Sequence, residues 1–364
     1  MKKHILSLYV VFIMFITNFP LISINSAETI EIDLFRCNIT DEQLALMVVN
    51  GAIPKNITTL RLGMNQITDI TPLNELLDLR KLILSDNQIH DLTPLNKLTN
   101  LEDLSLGKNQ ITDLTPLSDL TNLQVLSLSD NRITDISPLE KLTSLKFLSL
   151  SRNSISDVTI LAKFTDLEDL FLDNVGVSDI SFLSGLINIR GPFGRLVLSN
   201  NRITDLSPLK NLTELQWLGL ENNQITDISP LSGLGNLSGL YLQNNQISDL
   251  SPLEWLIGLS PRNTASLNLA GNPVSLAQIE QLHEKVRGNR QRGVLTLGHV
   301  LGTEEYTIHD ALEILKYLAD LENNIIGNCS VALMAALIVS ENEPGIGDAL
   351  EILKKLAGVP SLVD

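Results

Sequence analysis

Aromatic residues are scarce in this chain, at 4% of its 364 residues. Its core must therefore be aliphatic, and any place where rings gather stands out. Cysteine is scarcer still, with only Cys37 and Cys329. Two cysteines in a chain of this length make no disulfide framework. Both read as small buried apolar residues, with a bridge between them as the other reading. Positive charge is also short: 26 lysines and arginines stand against 42 acidic residues, a formal net charge of −16. Such a surface repels nucleic acid and anionic lipid, so neither is expected as a partner. The histidines, His4, His90, His283, His299 and His309, show no metal-ligand spacing. No GxSxG, phosphate loop or GxGxxG in a strand-to-helix setting occurs. The aspartates that recur from Asp69 and Asp91 to Asp249 hold one fixed place in a repeat, which makes them turn residues rather than catalytic pairs. The sequence predicts no enzyme and no cofactor.

Long apolar runs are missing except at the start. Residues 1–27, MKKHILSLYVVFIMFITNFPLISINSA, have basic Lys2 and Lys3, an apolar stretch from Ile5, and small Ser26 and Ala27. That is the pattern of a signal peptide. An uncleaved anchor is the other reading, but Asn18 and Pro20 interrupt the run and no basic stop-transfer cluster follows. No later segment reaches the ~18 apolar residues that a span needs. The chain is expected to be exported, secreted or attached to the cell surface, with no membrane insertion once the signal is removed.

What the sequence has in abundance is repetition. Asparagine recurs at 65, 87, 109, 131 and 153, and again at 201, 223 and 245, at steps of 22 within each run. Val175 takes the place of the sixth; a step of 26 then leads to Asn201, and one of 27 leads from Asn245 to Asn272. The extra residues fall in turn-rich GPFG (191–194) and SPRNT (260–264), giving about ten units. One unit, residues 101–122, reads LEDLSLGKNQITDLTPLSDLTN. Leu104 and Leu106 alternate inward from a short strand. Asn109 turns the chain off the strand, Ile111 re-enters the core, and Pro116 pre-sets a tight helical turn. Leu117 and Leu120 close the unit. One unit cannot bury its leucines alone, but stacked units share a continuous core. An α/β solenoid over residues 56–275 is predicted, with a parallel sheet on one face.

These motifs resemble the 22-residue leucine-rich repeat of bacterial internalin-like proteins. The resemblance implies a right-handed superhelix with its sheet on the concave face, and a habit of binding partners there. Both ends look capped. In residues 28–55, IDLFRCNITD imitates a repeat with Cys37 in the asparagine place. DEQLALMVVNG then predicts a helix with Asp41 as N-cap and Gly51 just past its end. In residues 276–297 an amphipathic helix starting near Ser275 carries Leu276, Ile279 and Leu282 on one face.

Residues flanking the inward leucines face outward from the strands. Phe147, Phe171, Val197, Trp217 and Tyr241 fall on five adjacent units, a grouping worth weighing in a chain so poor in rings. Bulky residues suit strands in any case, but tyrosine and tryptophan also anchor partners. Arg195, Asp169, Asp173 and Glu221 surround them, which favours a partner with some positive charge. The surface is read as a binding site for a protein or a glycan.

From residue 298 the rhythm changes: HDALEILKYLAD (309–320) returns as GDALEILKKLAG (347–358). Asp310 and Asp348 start two helices with matching leucine stripes. Residues 298–364 resemble a dockerin, the module that docks secreted bacterial proteins onto cohesin-bearing scaffolds. The resemblance implies a small helical domain with Ile308, His309, Lys316, Ile346 and Lys354 as its docking residues. The metal loops have no counterpart. With Asp310 and Asp348 closing them, their first, third and fifth places hold His299, Leu301 and Thr303, then Leu337, Val339 and Glu341. Calcium needs more oxygen ligands than these, so no metal is expected. The leading reading is a monomeric recognition protein that attaches to a scaffold or surface. A non-catalytic structural adaptor, or an accessory component of a cellulosome-type polysaccharide-degrading complex, stands as the alternative.

Overall fold

A computed structural model describes residues 22–25, 29–190, 194–253, 266–275, 278, 281 and 296–298. The expected signal peptide apart from 22–25, most of the expected C-terminal cap helix, and residues 299–364 lie outside the described residues. So do Cys329 and the expected docking residues Ile308, His309, Lys316, Ile346 and Lys354.

Among the described residues, thirteen strands lie in one sheet in sequence order. β1 (Ile22–Asn25) pairs antiparallel with β2 (Thr29–Asp33), and β2 pairs parallel with β3 (Thr59–Arg61). The next strands are β4 (Lys81–Ile83), β5 (Asp103–Ser105), β6 (Val125–Ser127) and β7 (Phe147–Ser149). They continue as β8 (Asp169–Phe171), β9 (Arg195–Val197), β10 (Trp217–Gly219) and β11 (Gly239–Tyr241). β12 (Ser266–Asn268) and β13 (Thr296–Gly298) end the sheet. Every pairing from β2 on is parallel and in phase, so the middle leucines stand in file: Leu104 opposite Leu126, Leu126 opposite Leu148. The flanking residues therefore form rows across the sheet.

The opposite side of each repeat is a short 3-10 turn, such as Thr71–Glu75, Thr115–Leu117 or Ser229–Gly233. Proline is not its common cause. Thr159–Lys163 and Ser181–Gly185 form without it. The shared element is the aspartate two residues ahead. Asp113, Asp157 and Asp179 each accept the N–H of Thr115, Thr159 and Ser181 at 2.8 Å, satisfying an amide the turn leaves free. Between strand and turn the core is aliphatic: Leu101, Leu104, Leu106, Ile111, Leu114, Leu117 and Leu120 are all buried. Each is worth about 2 kcal/mol of burial.

The asparagines bind neighbouring repeats as well as their own. Asn109 Oδ1 accepts Ile89 N–H at 3.0 Å, and its Nδ2 donates to Leu106 O and, one repeat back, Leu84 O, both at 3.0 Å. The residue before each asparagine is left-handed, as at Lys108 (φ 54°) and Asn222 (φ 56°). At Val175 the file breaks. Asn201 Oδ1 then accepts from Val175, Gly176 and Val177 together, at 2.9–3.2 Å.

At the N-terminal end, α1 (Asp41–Val49) covers the first repeat, with Gly51 in the left-handed region just past it. Its cap is Thr40, not Asp41 as expected. Thr40 Oγ1 accepts Gln43 N–H at 3.4 Å and Gln43 Oε1 accepts Thr40 N–H at 3.1 Å, a reciprocal box. The Asp41 carboxylate is turned away to the next repeat, where it accepts from Thr68 N–H and Asp69 N–H at 2.8 and 3.0 Å. Ser275 and Gln278 exchange the same reciprocal bonds at 3.0 and 3.3 Å, marking a helix start. Cys37 is only partly buried, not the enclosed residue that was expected, and it is free among the described residues.

A candidate partner-binding site on the sheet face

The aromatic residues singled out from the sequence come together as two diagonal pairs. Phe147 on β7 packs on Phe171 on β8, ring centroids 5.3 Å apart and tilted 40°. Trp217 on β10 packs on Tyr241 on β11, 4.8 Å apart and tilted 30°. In each pair the first ring flanks its strand's leucine on one side and the second flanks the neighbouring leucine on the other. That diagonal reach is one only long side chains span. Val197 stands between the pairs, opposite Phe171 in the register.

Two glycines shape the second pair. A Cβ on Gly239 would stand 2.7 Å from Trp217 Cε3, so the indole lies directly on the bare backbone of β11. Gly219, opposite Tyr241, is closely covered: a Cβ there would stand 3.0 Å from Ser199 Oγ and 3.4 Å from Val197 Cγ1. With 37% of its surface exposed, Trp217 is the most open ring of the group.

The charged residues around the rings differ in their condition. Asp169, on the outward-facing row, is buried. Arg195 binds it with a bidentate fork, Nε to Oδ1 and Nη2 to Oδ2 at 3.2 Å, and adds its own N–H at 2.8 Å. The same guanidinium lies 5.1 Å over the Phe171 ring. Asp173 meets Arg152 at 3.7 Å and accepts from Asn200 Nδ2 at 2.6 Å. Glu221 has no ion pair among the described residues. Beside it, Ser199 and Gln243 occupy the same place in the adjacent repeats, residues the sequence had not singled out. Serine is common at that place, as at Ser85, Ser129 and Ser151, so no signal marked Ser199.

Burial, then the Asp33 charge, pushes the Cys37 thiol up, away from the reactive thiolate. Among the described residues no three His, Cys, Asp or Glu side chains are placed to hold a metal. No described helix is long and apolar enough to cross a membrane.

The family of leucine-rich repeats in two copies matches residues 77–119, 121–163 and 213–255. An internalin, inlF from Listeria monocytogenes, is 32% identical, covering 70% of this chain and 77% of that one with a TM-score of 0.58. This chain belongs to the internalin-like leucine-rich repeat proteins. The fold alone is shared with two more distant structures. A leucine-rich repeat protein of Leptospira interrogans is 23% identical, covering 66% of this chain and 73% of that one with a TM-score of 0.53. The ectodomain of the Arabidopsis receptor kinase HAESA, solved with a peptide hormone ligand, is 21% identical, covering 70% and 44% with a TM-score of 0.57. No curated protein matches this internalin-like chain.

Proposed function

We propose that the sheet face from β7 to β11 binds a protein partner, and that the protein is an exported recognition factor rather than a catalyst. The observation that carries this reading is the placing of two aromatic pairs on neighbouring strands, with Gly239 letting the Trp217 indole lie against the backbone of β11. Large rigid rings at the centre of a face that is otherwise small and polar are what a binding hot spot requires. The HAESA ectodomain supports it as a precedent for peptide capture on this fold. Residues 298–364 are proposed to attach the protein by contact with a scaffold or surface partner, in the manner of a dockerin, on the strength of their repeated helix sequence.

A random peptide library displayed on phage tests the first part. Peptides selected by the full chain are expected to lose about 2 kcal/mol on Trp217→Ala and on Phe171→Ala, roughly 30-fold in Kd for each. The thermal midpoint of Trp217→Ala should stay close to the parent's, because the ring is at the surface. Selected peptides whose affinity ignores both substitutions would refute this site.

A further inference from the structure

Three side-chain oxygens on this face have no hydrogen-bond partner: Ser199 Oγ, Glu221 Oε2 and Gln243 Oε1. They come from three consecutive repeats at one position, two residues past β9, β10 and β11. Two serines earlier in this row are engaged. Ser129 Oγ meets Ser149 Oγ at 2.5 Å, and Ser151 Oγ accepts Asp173 N–H at 3.1 Å. The orphans are therefore a local departure, and Ser199 is only 1% exposed. A buried acceptor without a donor is costly, and more so when it belongs to a carboxylate.

Two of the orphans converge. Ser199 Oγ and Glu221 Oε2 lie 3.0 and 3.2 Å from the point where a Cβ on Gly219 would stand, with Val197 Cγ1 at 3.4 Å as an apolar wall. Tyr241 stands opposite Gly219 in the register and is stacked with Trp217. Glu221 Oε2 and Gln243 Oε1 can only accept, and the Ser199 hydroxyl can accept as well as donate, so a single cation with several N–H donors would meet all three. Glu221 and Gln243 are only partly buried, and their terminal torsions are loosely held. A small turn presents their oxygens to an arriving donor.

The same molecule shows what completes such a set. One strand away, the Arg195 guanidinium forks onto the Asp169 carboxylate while lying 5.1 Å over the Phe171 ring. Glu221 with the Trp217–Tyr241 pair repeats the carboxylate and the ring, but Glu221 has no ion pair among the described residues. We propose that an arginine side chain of the partner fills this place, its guanidinium accepted by Glu221, Ser199 and Gln243 and its plane against the Trp217–Tyr241 pair. The proposal rests on the sheet-face reading above and specifies its partner as basic at this point.

Titrating the full chain with N-acetyl-arginine amide, while following the Trp217 indole N–H by NMR, tests it apart from that reading. The expected result is a saturable shift, with the uncharged isostere N-acetyl-citrulline amide at least tenfold weaker. Glu221→Gln should weaken the arginine probe at least tenfold, and Ser199→Ala severalfold, with unfolding midpoints near the parent's. Equal response to arginine and citrulline, or full arginine binding by Glu221→Gln, overturns the proposal and leaves the oxygens to water. Selected peptides that depend on Trp217 but are indifferent to Glu221→Gln would overturn it while sparing the sheet-face reading.

Discussion

Replacing Asn109 by alanine isolates what the asparagine file contributes. The side chain makes three good hydrogen bonds, but they are not equal. Leu84 O and Leu106 O each keep a second amide, from Asn87 and Asn131 at 3.0 Å, when Asn109 is removed. Ile89 N–H loses its acceptor inside the core, where Ile89 is 0% exposed. An orphaned buried N–H costs about 1–3 kcal/mol, and the two thinned carbonyls add some tenths each, so a loss of about 2–3 kcal/mol is expected. Urea unfolding followed by circular dichroism reads it as a shift in midpoint. Because repeats contact only their neighbours, the loss weakens one junction and the transition should broaden or split there. Asn122→Ala is the control: exposed Asn122 also ties two repeats, through Nδ2 to Thr99 O at 2.8 Å, yet leaves nothing buried unpaired. It should cost about 0.5 kcal/mol. Equal losses for the two variants would refute the reasoning, since the argument turns on burial rather than on bond count. Nature supplies a parallel at Val175, where no asparagine stands opposite Ile155. That residue is 8% exposed, against 0% for Ile111 and Ile133.

Lys108→Asn should raise stability by about 0.5 kcal/mol, because φ 54° strains lysine more than asparagine; a fall in the urea midpoint would count against it. Acid should unfold the solenoid through its turn aspartates. Hydroxyl, then amide, bonds from Thr93, Thr115, Thr159 and Ser207 hold Asp91, Asp113, Asp157 and Asp205 below the usual carboxylate range. Their contribution is complete above about pH 3.9, the unfolded value, and is lost as pH falls through the lower folded values. A thermal midpoint unchanged from pH 7 to about pH 2.5 would contradict this. Gly239→Ala should lift the indole off β11 and shift Trp217 fluorescence to the red, since the new Cβ would stand 2.7 Å from the ring; an unchanged spectrum would show the ring is held from elsewhere.

The solenoid was legible because its signals are periodic. Leucines at one spacing, an asparagine at the strand's end and an aspartate before each turn all recur in phase, so each repeat confirms the next. What stayed hidden were bonds whose two ends lie one repeat apart. A sequence shows that Asn109 follows a strand; it does not show that its oxygen serves Ile89, twenty residues back. The misplaced cap has a similar cause. Thr40 and Asp41 are both able to cap a helix. The choice is made by Gln43 reaching back to Thr40 and by Thr68 and Asp69 drawing Asp41 away.

The site was legible only as rows. Period two puts Phe147, Phe171, Trp217 and Tyr241 on the outer face, but says nothing of which charges on that face are already spent. In the first repeats the sheet closes on itself: Arg61 meets Glu31 at 2.8 Å and Lys81 meets Asp103 at 2.5 Å. Asp169 and Asp173 are closed in the same way by Arg195 and Arg152. At β10 and β11 glycines replace the bulky flanking residues, and among the described residues the buried acceptors that stay open follow β9, β10 and β11. A regular repeat satisfies its own polar groups because each residue finds its counterpart one step along. Where two neighbouring repeats exchange those counterparts for glycine and rings, the unmet groups point to a partner from outside the chain.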